Sequence, residues 1–427
     1  MTQRGVIMGS PTEIDAIEDV EPFRARAKKW IAANLPPAKP VTGEEPESED
    51  YDEAAWERAS ELQKLLYSGG FAGLCYPKEY GGQGLTPAHQ NAFNEEVVGY
   101  EMPQLLNSPT FSICGPTILD MGTEEQKKTH LSAMIRGEEA LVQFLSEPSC
   151  GSDLAGVVTR ATRDGDVFIL NGSKIWSSWA YSADYALCLA RTDWDAPKHR
   201  GLTMFLLKVK QPGVEIRRIR QVNGNEEFCQ EFFDNVEVPI ENVVGEINGG
   251  WAVASRQMFH ERNSVGGGSQ YVSGKLMGPK RRSPTEGMID IARRTGRSED
   301  RHVRELIAEA HAMGKVQQHL VERVVAGMRT ENLPGSAASI IRLFHGMGHL
   351  RETEIALEIG GSHGIVSPVG TIGDRAIGET FITRQAACMG GGTTEIARNI
   401  IAERVLGMPR EYSADRDLPY KDVRRGR

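Results

Sequence analysis

Apolar and polar positions recur with two different periods along this chain, and the change of period divides it into three parts. Up to about Gly137, apolar residues recur every three or four positions, which predicts amphipathic helices. The predicted helices span residues 20–34, 51–68, 87–100 and 124–136. Thr123 and Gln126 have the spacing of a capping box at the start of the last helix, and Gly137 suits its end. Residues 36–50, rich in Pro, Glu and Ser, are predicted to form an exposed acidic connection.

From about residue 141 to residue 244, short runs of β-branched and aromatic side chains replace the helical period. The predicted strands span residues 167–170, 185–190, 202–209, 214–219 and 228–238. Asp164-Gly165 and Asn171-Gly172 lie between these runs, and such pairs favour tight hairpin turns because Gly and Asn tolerate positive φ. The middle of the chain is therefore predicted to be a mainly antiparallel β domain.

After Gly250 the helical period returns. Long amphipathic helices are predicted at residues 251–265, 301–327, 337–359 and 393–405, whereas residues 266–298 are predicted to be partly loop. The whole pattern predicts an α+β fold: an N-terminal helical domain (1–137), a middle antiparallel β domain (138–248) and a C-terminal helical bundle (249–427). No internal repeat interrupts this order.

Composition narrows the classes of protein. The 427 residues are 40% hydrophobic and 25% charged, which is typical of a globular chain with well-buried cores. The net charge of -9 is spread without a basic stripe, so a nucleic-acid partner is not expected. No apolar run approaches the roughly 18 residues of a membrane span, and no secretory signal pattern begins the sequence, so we expect a cytoplasmic location. The six cysteines and ten histidines show no metal-ligand or disulfide spacing, and no metal is expected.

The most informative stretch begins at Phe144 and reads FLSEPSCGSD, followed at residues 171–178 by NGSKIWSS. Turns account for most Gly-Ser pairs, and a strand followed by a hairpin would also explain this pattern. Here, however, small hydroxyl residues and backbone amides precede a Trp and two further serines. That mixture can hydrogen-bond a flat heterocycle and cover its face.

These two segments resemble the flavin-binding signature of acyl-CoA dehydrogenases, and the similarity extends over most of the chain. Further matching runs lie at residues 197–201, 232–236, 249–251 and 392–407. The resemblance implies a helical, β, helical architecture, which agrees with the periods described above. It also implies that FAD is the cofactor.

Site residues follow from the resemblance position by position. Those expected to bind the cofactor around the flavin ring are Gln143, Leu145, Ser146, Gly151, Ser152, Trp176 and Ser178. Gln143 occupies a position that is often aromatic in the family, and Ser152 is also expected near the substrate thioester. Thr393 and Glu395 match positions near the dinucleotide, and Gly360-Gly361 matches a turn that a neighbouring subunit presents to the diphosphate, which implies at least a dimer.

The family's usual Arg-x-x-Phe-Gly motif for the diphosphate does not occur in this sequence, and residues 292–297 stand roughly in its place. Arg293 is therefore the predicted diphosphate ligand, because guanidinium groups bind such anions well. A solvated basic surface is an equally good explanation of this cluster.

The reaction of the family needs a general base for the α-proton of the thioester. Many members carry this Glu at the position that is Gly391 here, whereas a second group places it directly before an Arg on the first helix after the β domain. Glu261, followed by Arg262, matches the second arrangement. Glu261 is therefore the predicted base and Arg262 is expected to orient the site or the substrate, although most helical Glu residues only form surface ion pairs.

The three glycines from Gly390 to Gly392 leave room for a bulky or branched acyl group, which makes Gly391 a predicted substrate contact. A flexible loop before a capped helix would explain the same glycines. The resemblance thus implies oxidation of an acyl-CoA to the trans-2-enoyl-CoA in fatty acid or lipid catabolism, with hydride transfer to flavin N5. It also implies a homodimer or homotetramer and an electron-transfer flavoprotein as electron acceptor.

Two alternatives stay open from the sequence. The first is another flavin reaction on the same fold, such as that of an acyl-CoA oxidase or a flavin monooxygenase. The second is a structural, FAD-binding subunit of a heteromeric dehydrogenase.

Overall fold

The computed structural model describes residues 17–38, 53–265, 269–274, 284–365 and 372–424. Most of the predicted acidic connection and the first two residues of the helix predicted at 51–68 lie outside these ranges.

Seven α-helical segments lie among the described residues of the N-terminal part. They are α1 (Val20–Asn34), α2 (Glu53–Ser68), α3 (Pro87–Glu96), α4 (Gln104–Leu106), α5 (Gly115–Met121), α6 (Glu124–Gln126) and α7 (Ser132–Arg136). A π-helical segment, Asn107–Cys114, joins α4 to α5, and another, Lys127–Leu131, joins α6 to α7. The capping box between Thr123 and Gln126 is present as predicted. The core of this part includes Phe71 stacked on Phe93, with ring centroids 5.4 Å apart.

Two features of this part differ from the sequence prediction. Helix α3 ends at Glu96 rather than near residue 100, because Gly99 takes a left-handed conformation with φ of 90° and turns the chain. Residues 104–121 are helical although no helix was predicted there. They are buried on nearly all sides, so they show no amphipathic period, and two prolines interrupt the sequence.

A single sheet of eight strands forms the middle part. The strands are β1 (Leu141–Phe144), β2 (Arg160–Asp164), β3 (Val167–Ser178), β4 (Tyr185–Arg191), β5 (Leu202–Lys208), β6 (Val214–Arg218), β7 (Phe228–Pro239) and β8 (Val243–Val244). Their order is β6-β7-β3-β2-β4-β5-β8, with β1 beside β4. Strand β1 runs parallel to β4, whereas β3, β5 and β7 make antiparallel pairs, so the sheet is mainly antiparallel as predicted.

The predicted turn at Asn171-Gly172 is wrong, because β3 continues through it to Ser178. The pairing of β3 with β7 shifts register at this point, and Gly172 (φ 149°) lies so close to Thr159 that a Cβ would come within 2.8 Å of its Cα. The glycine therefore marks a bulge with a close backbone approach. Continuation of β3 brings Trp176 and Ser178 onto the same strand.

In the C-terminal part, the residues that the structure describes form seven further α-helices. They are α8 (Gly250–Val265), α9 (Pro284–Arg294), α10 (Arg301–Arg329), α11 (Ala338–Gly360), α12 (Ser362–Ile365), α13 (Ile372–Thr383) and α14 (Thr394–Ile400). A π-helical segment, Ile401–Val405, continues α14. Ile291, Leu306, Ile355 and Ile359 belong to the apolar core between α9, α10 and α11. The order of helical, β and helical parts confirms the predicted fold class.

Helix α8 is fixed to other parts of the chain at its start and again at Arg256 and His260. At its start, Gly250 lies against the backbone of β5, where a Cβ would come within 2.6 Å of the Thr203 carbonyl carbon. Further along, the side chains of Arg256 and His260 both bind the Asp120 carboxylate of α5, at 2.5 and 2.7 Å. These contacts determine where the residues of the last turns of α8 lie.

The segment after α14 returns to the sheet. The Tyr420 hydroxyl donates to the Gly156 carbonyl at 2.5 Å, and its ring lies 3.5 Å from the guanidinium carbon of Arg191. Arg191 is buried and also donates to the Ala155 and Val157 carbonyls. Among the helices of the described ranges, none combines the length and apolarity that a membrane crossing needs.

Candidate active site

An ion pair inside the protein shapes the loop that follows β1. The Lys174 ammonium on β3 binds the Glu147 carboxylate at 2.8 Å, and both side chains are essentially closed to solvent. Lys174 also donates to the Leu145 carbonyl at 3.0 Å. Glu147 accepts further hydrogen bonds from the backbone amides of Val158 and Thr159, so the loop is held at both ends. Burial acts to raise the pKa of Glu147, but Lys174 and these donors outweigh it and lower the pKa.

This arrangement brings Ser146 next to the end of β3. The Ile175 amide donates to the Ser146 carbonyl at 2.9 Å, and Trp176 follows at a bulge with φ of 69°. The Trp176 ring is 55% exposed and meets Phe228 edge-on at 6.0 Å. An exposed Trp held on a rigid strand beside Ser146 and Ser178 is a surface that fits a flat, polar-edged heterocycle, so these residues suit a flavin.

The remaining predicted residues of this loop lie around the same edge. Leu145 is partly buried and packs against the N-terminal core, whereas Gly151 and Ser152 are exposed. The neighbouring Asp153 carboxylate pairs with Lys198 at 2.6 Å, which ties this part of the loop to residues 197–201. Gly151 and Ser152 can therefore present backbone and hydroxyl groups to a ligand.

Glu261 lies in the fourth turn of α8 and faces the end of β1. Burial raises the pKa of its carboxyl, while Arg262, a hydrogen bond from the Gln143 side chain, and Arg342 oppose that change. The structure therefore brings Glu261 together with Gln143, which the sequence placed at the flavin site. A buried carboxylate with a raised pKa is a stronger base than one in water, as a proton-abstracting group requires.

Gln143 has a second partner that sequence reasoning did not identify. The Gln257 side-chain amide donates to Gln143 Oε1 at 3.1 Å. Gln257 lies one helical turn before Glu261, is 0% exposed, and its own Oε1 meets no donor among the described residues. The i, i+4 spacing from Glu261 was a signal in the sequence, because it places both side chains on one helix face.

Arg342 of α11 was also missed. Its guanidinium donates to the Gly390 carbonyl at 2.7 Å, and its charge acts on Glu261. Its Nε is buried and has no hydrogen-bond partner in the described part of the chain. No local pattern could reveal this residue, because 81 positions of sequence separate it from Glu261.

Because Arg342 binds the Gly390 carbonyl and its charge acts on Glu261, the loop of three glycines lies next to the site. Gly391, where many family members have their base, has φ of 71°, and Gly392 has φ of 99°. A Cβ on Gly390 would meet nothing closer than 3.7 Å, so this loop leaves open space. The left-handed backbone at Gly391 explains a preference for glycine there.

Thr393 and Glu395 lie at the start of α14. The Thr393 hydroxyl caps the helix by accepting from the Ile396 amide at 3.1 Å. Glu395 is exposed and lies 3.5 Å from Arg398. Both residues follow the glycine loop directly, which places them beside the site without a contact to Glu261 in the described part.

Arg293, Gly360 and Gly361 form a separate group at the facing ends of α9 and α11. Arg293 is largely exposed and lies 3.4 Å from Asp290. Arg297, which was not predicted, donates to the Glu358 and Ile359 carbonyls and so binds the end of α11 beside Gly360. The facing ends of α9 and α11 bring these residues near one another, and the expectation that Gly360-Gly361 serves a neighbouring subunit stays a prediction. The described residues contain no cluster of metal-binding side chains.

Comparison with known proteins covers nearly the whole chain. The families described as acyl-CoA dehydrogenase N-terminal, middle and C-terminal domains match residues 18–138, 143–236 and 248–406. The chain is 34% identical over 400 residues to the acyl-CoA dehydrogenase IpdE1 of Mycobacterium tuberculosis, covering 92% of this chain and 99% of that protein.

Two solved structures show the same architecture. The Tcur3481-Tcur3483 steroid ACAD has a TM-score of 0.73 at 30% identity, covering 92% of this chain and 98% of that chain. The ChsE4-ChsE5 complex from Mycobacterium tuberculosis has a TM-score of 0.67 at 26% identity, covering 94% of this chain and 100% of that chain.

Proposed function

Because this chain belongs to the acyl-CoA dehydrogenase family, we propose that it oxidises an acyl-CoA thioester to the trans-2-enoyl-CoA with Glu261 as the base. Members of the family are FAD-dependent oxidoreductases that act on CH-CH groups. The observation that carries the proposal is the position of Glu261, a half-buried residue of α8 that faces Gln143 on β1, the strand that leads into Ser146.

The residues around Glu261 suit proton abstraction from carbon. FAD held along the edge that carries Trp176 and Ser178 would supply, at flavin N5, the acceptor for the β-hydrogen and its electron pair. The Glu261 carboxylate takes the α-hydrogen as a proton, and the electrons of that C–H bond form the new double bond. Burial raises the pKa of the Glu261 carboxyl, and Arg262, the Gln143 side chain and Arg342 oppose that rise.

The flavin ring is assigned to the edge formed by Gln143, Leu145, Ser146, Trp176 and Ser178. The exposed Trp176 ring offers a face, and the Ser146 and Ser178 hydroxyl groups offer hydrogen bonds. Gly151 and Ser152 extend this edge toward the thioester, which places Ser152 near both cofactor and substrate.

The diphosphate end is assigned to the second group of residues. Arg293 and the Gly360-Gly361 turn, which lie at facing helix ends of one chain, would bind the diphosphate of the FAD in a neighbouring subunit, where glycines let backbone amides come close. Thr393 and Glu395, which follow the glycine loop, complete this set.

We infer a bulky acyl group as the substrate class. A side chain would find room at Gly390 and Gly392, in the loop bound by Arg342, whose charge acts on Glu261, and a similar solved structure is a steroid ACAD. Gly391 and Arg262 would border such an acyl group. The decisive experiment mixes the purified protein anaerobically with short, long, branched, aromatic and steroid side-chain acyl-CoA thioesters and follows flavin absorbance. Bleaching by ring-bearing thioesters supports the proposal, and bleaching by short straight chains only contradicts this substrate class.

A second candidate is a heteromeric enzyme, since one similar solved structure is a complex of two named chains. Native mass spectrometry of the protein alone distinguishes a homodimer or homotetramer from a subunit that needs a partner. We propose a homo-oligomer and an electron-transfer flavoprotein as acceptor. If the homo-oligomer binds flavin at full stoichiometry but that flavin stays oxidised with every thioester, the result would instead favour the function of a structural subunit.

A further inference from the structure

The two glutamines beside Glu261 form a chain of side-chain amides that ends at the base. Gln257 Nε2 donates to Gln143 Oε1 at 3.1 Å, and the Gln143 side chain hydrogen-bonds to Glu261. The ionised carboxylate has no hydrogen to donate and the interaction lowers its pKa, so the group that Gln143 presents to Glu261 is its NH2. An NH2 donor binds a carboxylate and fixes one of its oxygens, which leaves the other for a proton.

Gln257 is an unusual residue for its environment. It is 0% exposed, yet its Oε1 meets no donor in the described part of the chain. A buried acceptor without a partner is unfavourable, and an apolar residue of similar size would avoid that cost. The contact with Gln143 is the interaction that an apolar residue at this position could not make.

We propose that Gln257 and Gln143 are positioning residues that hold the Glu261 carboxylate in the ionised, correctly oriented form needed for proton abstraction. This inference rests on the proposed function, because it assigns Glu261 as the base. Helix geometry supports it: Gln257 and Glu261 are one turn apart on α8, and Gln143 on β1 bridges them. The base is therefore held jointly by a helix and a strand.

Other charged or titratable groups also face Glu261. Arg262 lies beside it on α8, Arg342 reaches it from α11, and Cys114 faces it from the π-helical segment before α5. Arg404 acts on Arg262 from the segment after α14. The test leaves all of these side chains unchanged, so that only the amide chain differs.

The experiment measures Glu261 ionisation without any substrate. Infrared spectra of the purified protein, titrated with pH, are compared with those of Glu261→Gln to isolate the carboxyl band of Glu261. Gln143→Leu removes the donor and should raise the midpoint of that titration by about one pH unit. Gln257→Leu should raise it by less, and the double variant should match Gln143→Leu, because Gln257 acts through Gln143.

A matched control separates this role from the loss of any buried amide. Gln90 is 2% exposed and also has a buried Oε1 without a partner in the described part, but it binds Asn94 and Ser273 instead. Gln90→Leu should leave the Glu261 titration unchanged. Gln257→Leu should unfold at the same denaturant concentration as the parent or a higher one.

Each result has a definite meaning. An unchanged titration in Gln143→Leu overturns the proposal, as does an equal shift in Gln90→Leu. A shift in Gln257→Leu that adds fully to that of Gln143→Leu overturns the linked arrangement. Because the titration needs no thioester, these outcomes do not depend on whether the acyl-CoA panel reduces the flavin.

Discussion

The Lys174 ammonium binds the Glu147 carboxylate at 2.8 Å in a position essentially closed to solvent, directly behind the loop that carries Ser146. A buried ion pair contributes little net stability compared with an apolar pair, but removal of one partner leaves a buried charge unpaired. The ion pair therefore links β3 to the loop that follows β1.

Lys174→Met should destabilise the protein by about 3–5 kcal/mol, because Glu147 would lose its counter-charge in the interior. The double variant Lys174→Met, Glu147→Gln should recover part of that loss. Denaturant unfolding measures both, and flavin absorbance after gel filtration measures retained cofactor. Equal stability of Lys174→Met and the parent would show that the pair does not organise the loop.

Glu261→Gln should keep FAD bound and lose substrate-driven flavin reduction by several orders of magnitude. The amide has the shape of the carboxylate but cannot take the α-proton. Anaerobic stopped-flow absorbance with a thioester active in the panel measures the rate. Glu322→Gln, an exposed residue of α10, is the control and should reduce at the parent rate. Rapid reduction by Glu261→Gln would remove Glu261 from its role.

The flavin-reduction rate should rise with pH through the raised pKa of Glu261, because only the ionised carboxylate accepts a proton. Arg342 lowers that pKa by its charge. Arg342→Met should therefore move the rising limb of the rate profile to higher pH, while Arg342→Lys should move it less. A profile of Arg342→Met that coincides with the parent would show that the guanidinium does not act on the base.

Burial raises the pKa of Glu231 to about 8, against an ordinary value of 4.5. Between those values the folded state keeps a proton that the unfolded state has released, so stability falls as pH rises, by up to about 1.4 kcal/mol per unit. Glu231→Gln has no carboxyl to titrate, so it removes this pH dependence of stability. The free energy of unfolding of Glu231→Gln, minus that of the parent, should be larger at pH 8 than at pH 5, because only the parent loses stability over that range. A difference independent of pH would mean that Glu231 is ionised in the fold.

Arg293→Ala should weaken FAD binding by about tenfold or more if Arg293 binds the diphosphate, since charge-assisted hydrogen bonds to anions are strong. Arg301→Ala changes another exposed arginine nearby, paired only with Glu305 at 2.9 Å, and should have no effect. Equilibrium dialysis of FAD against each apoprotein gives the ratio. Equal affinities for the two variants would identify the Arg293 cluster as a solvated surface.

The sequence predicted two kinds of element well. Helices α1 and α8 agree with their predicted ranges within two residues because one face of each is apolar, and strands β4 and β5 agree because each is a short, almost continuously buried apolar run. Prediction failed at residues 104–121, which are buried on nearly all sides, and at Gly172, where a bulge resembles a turn. Periodicity carries no information about either case.

The candidate site was predictable only in part for a related reason. Glu261 and the residues around Ser146 belong to local motifs, and the structure places Glu261 beside Gln143. Arg342 acts through a contact between distant segments, which leaves no local pattern, whereas Gln257 could have been identified from its i, i+4 spacing to Glu261. A buried Lys174 within an alternating strand was a visible signal, because an inward-facing charge on a strand needs a partner.

The hydrogen bond from Tyr420 to Gly156 joins residues 264 positions apart. Gly156 closes the same loop that presents Gly151 and Ser152, and Tyr420 also covers the buried Arg191. During synthesis the sheet emerges from the ribosome long before Tyr420 does. The loop that presents Gly151 and Ser152 therefore reaches its final packing only after translation has passed α14. Because of this order of synthesis, the candidate site is completed only once the C-terminal part exists.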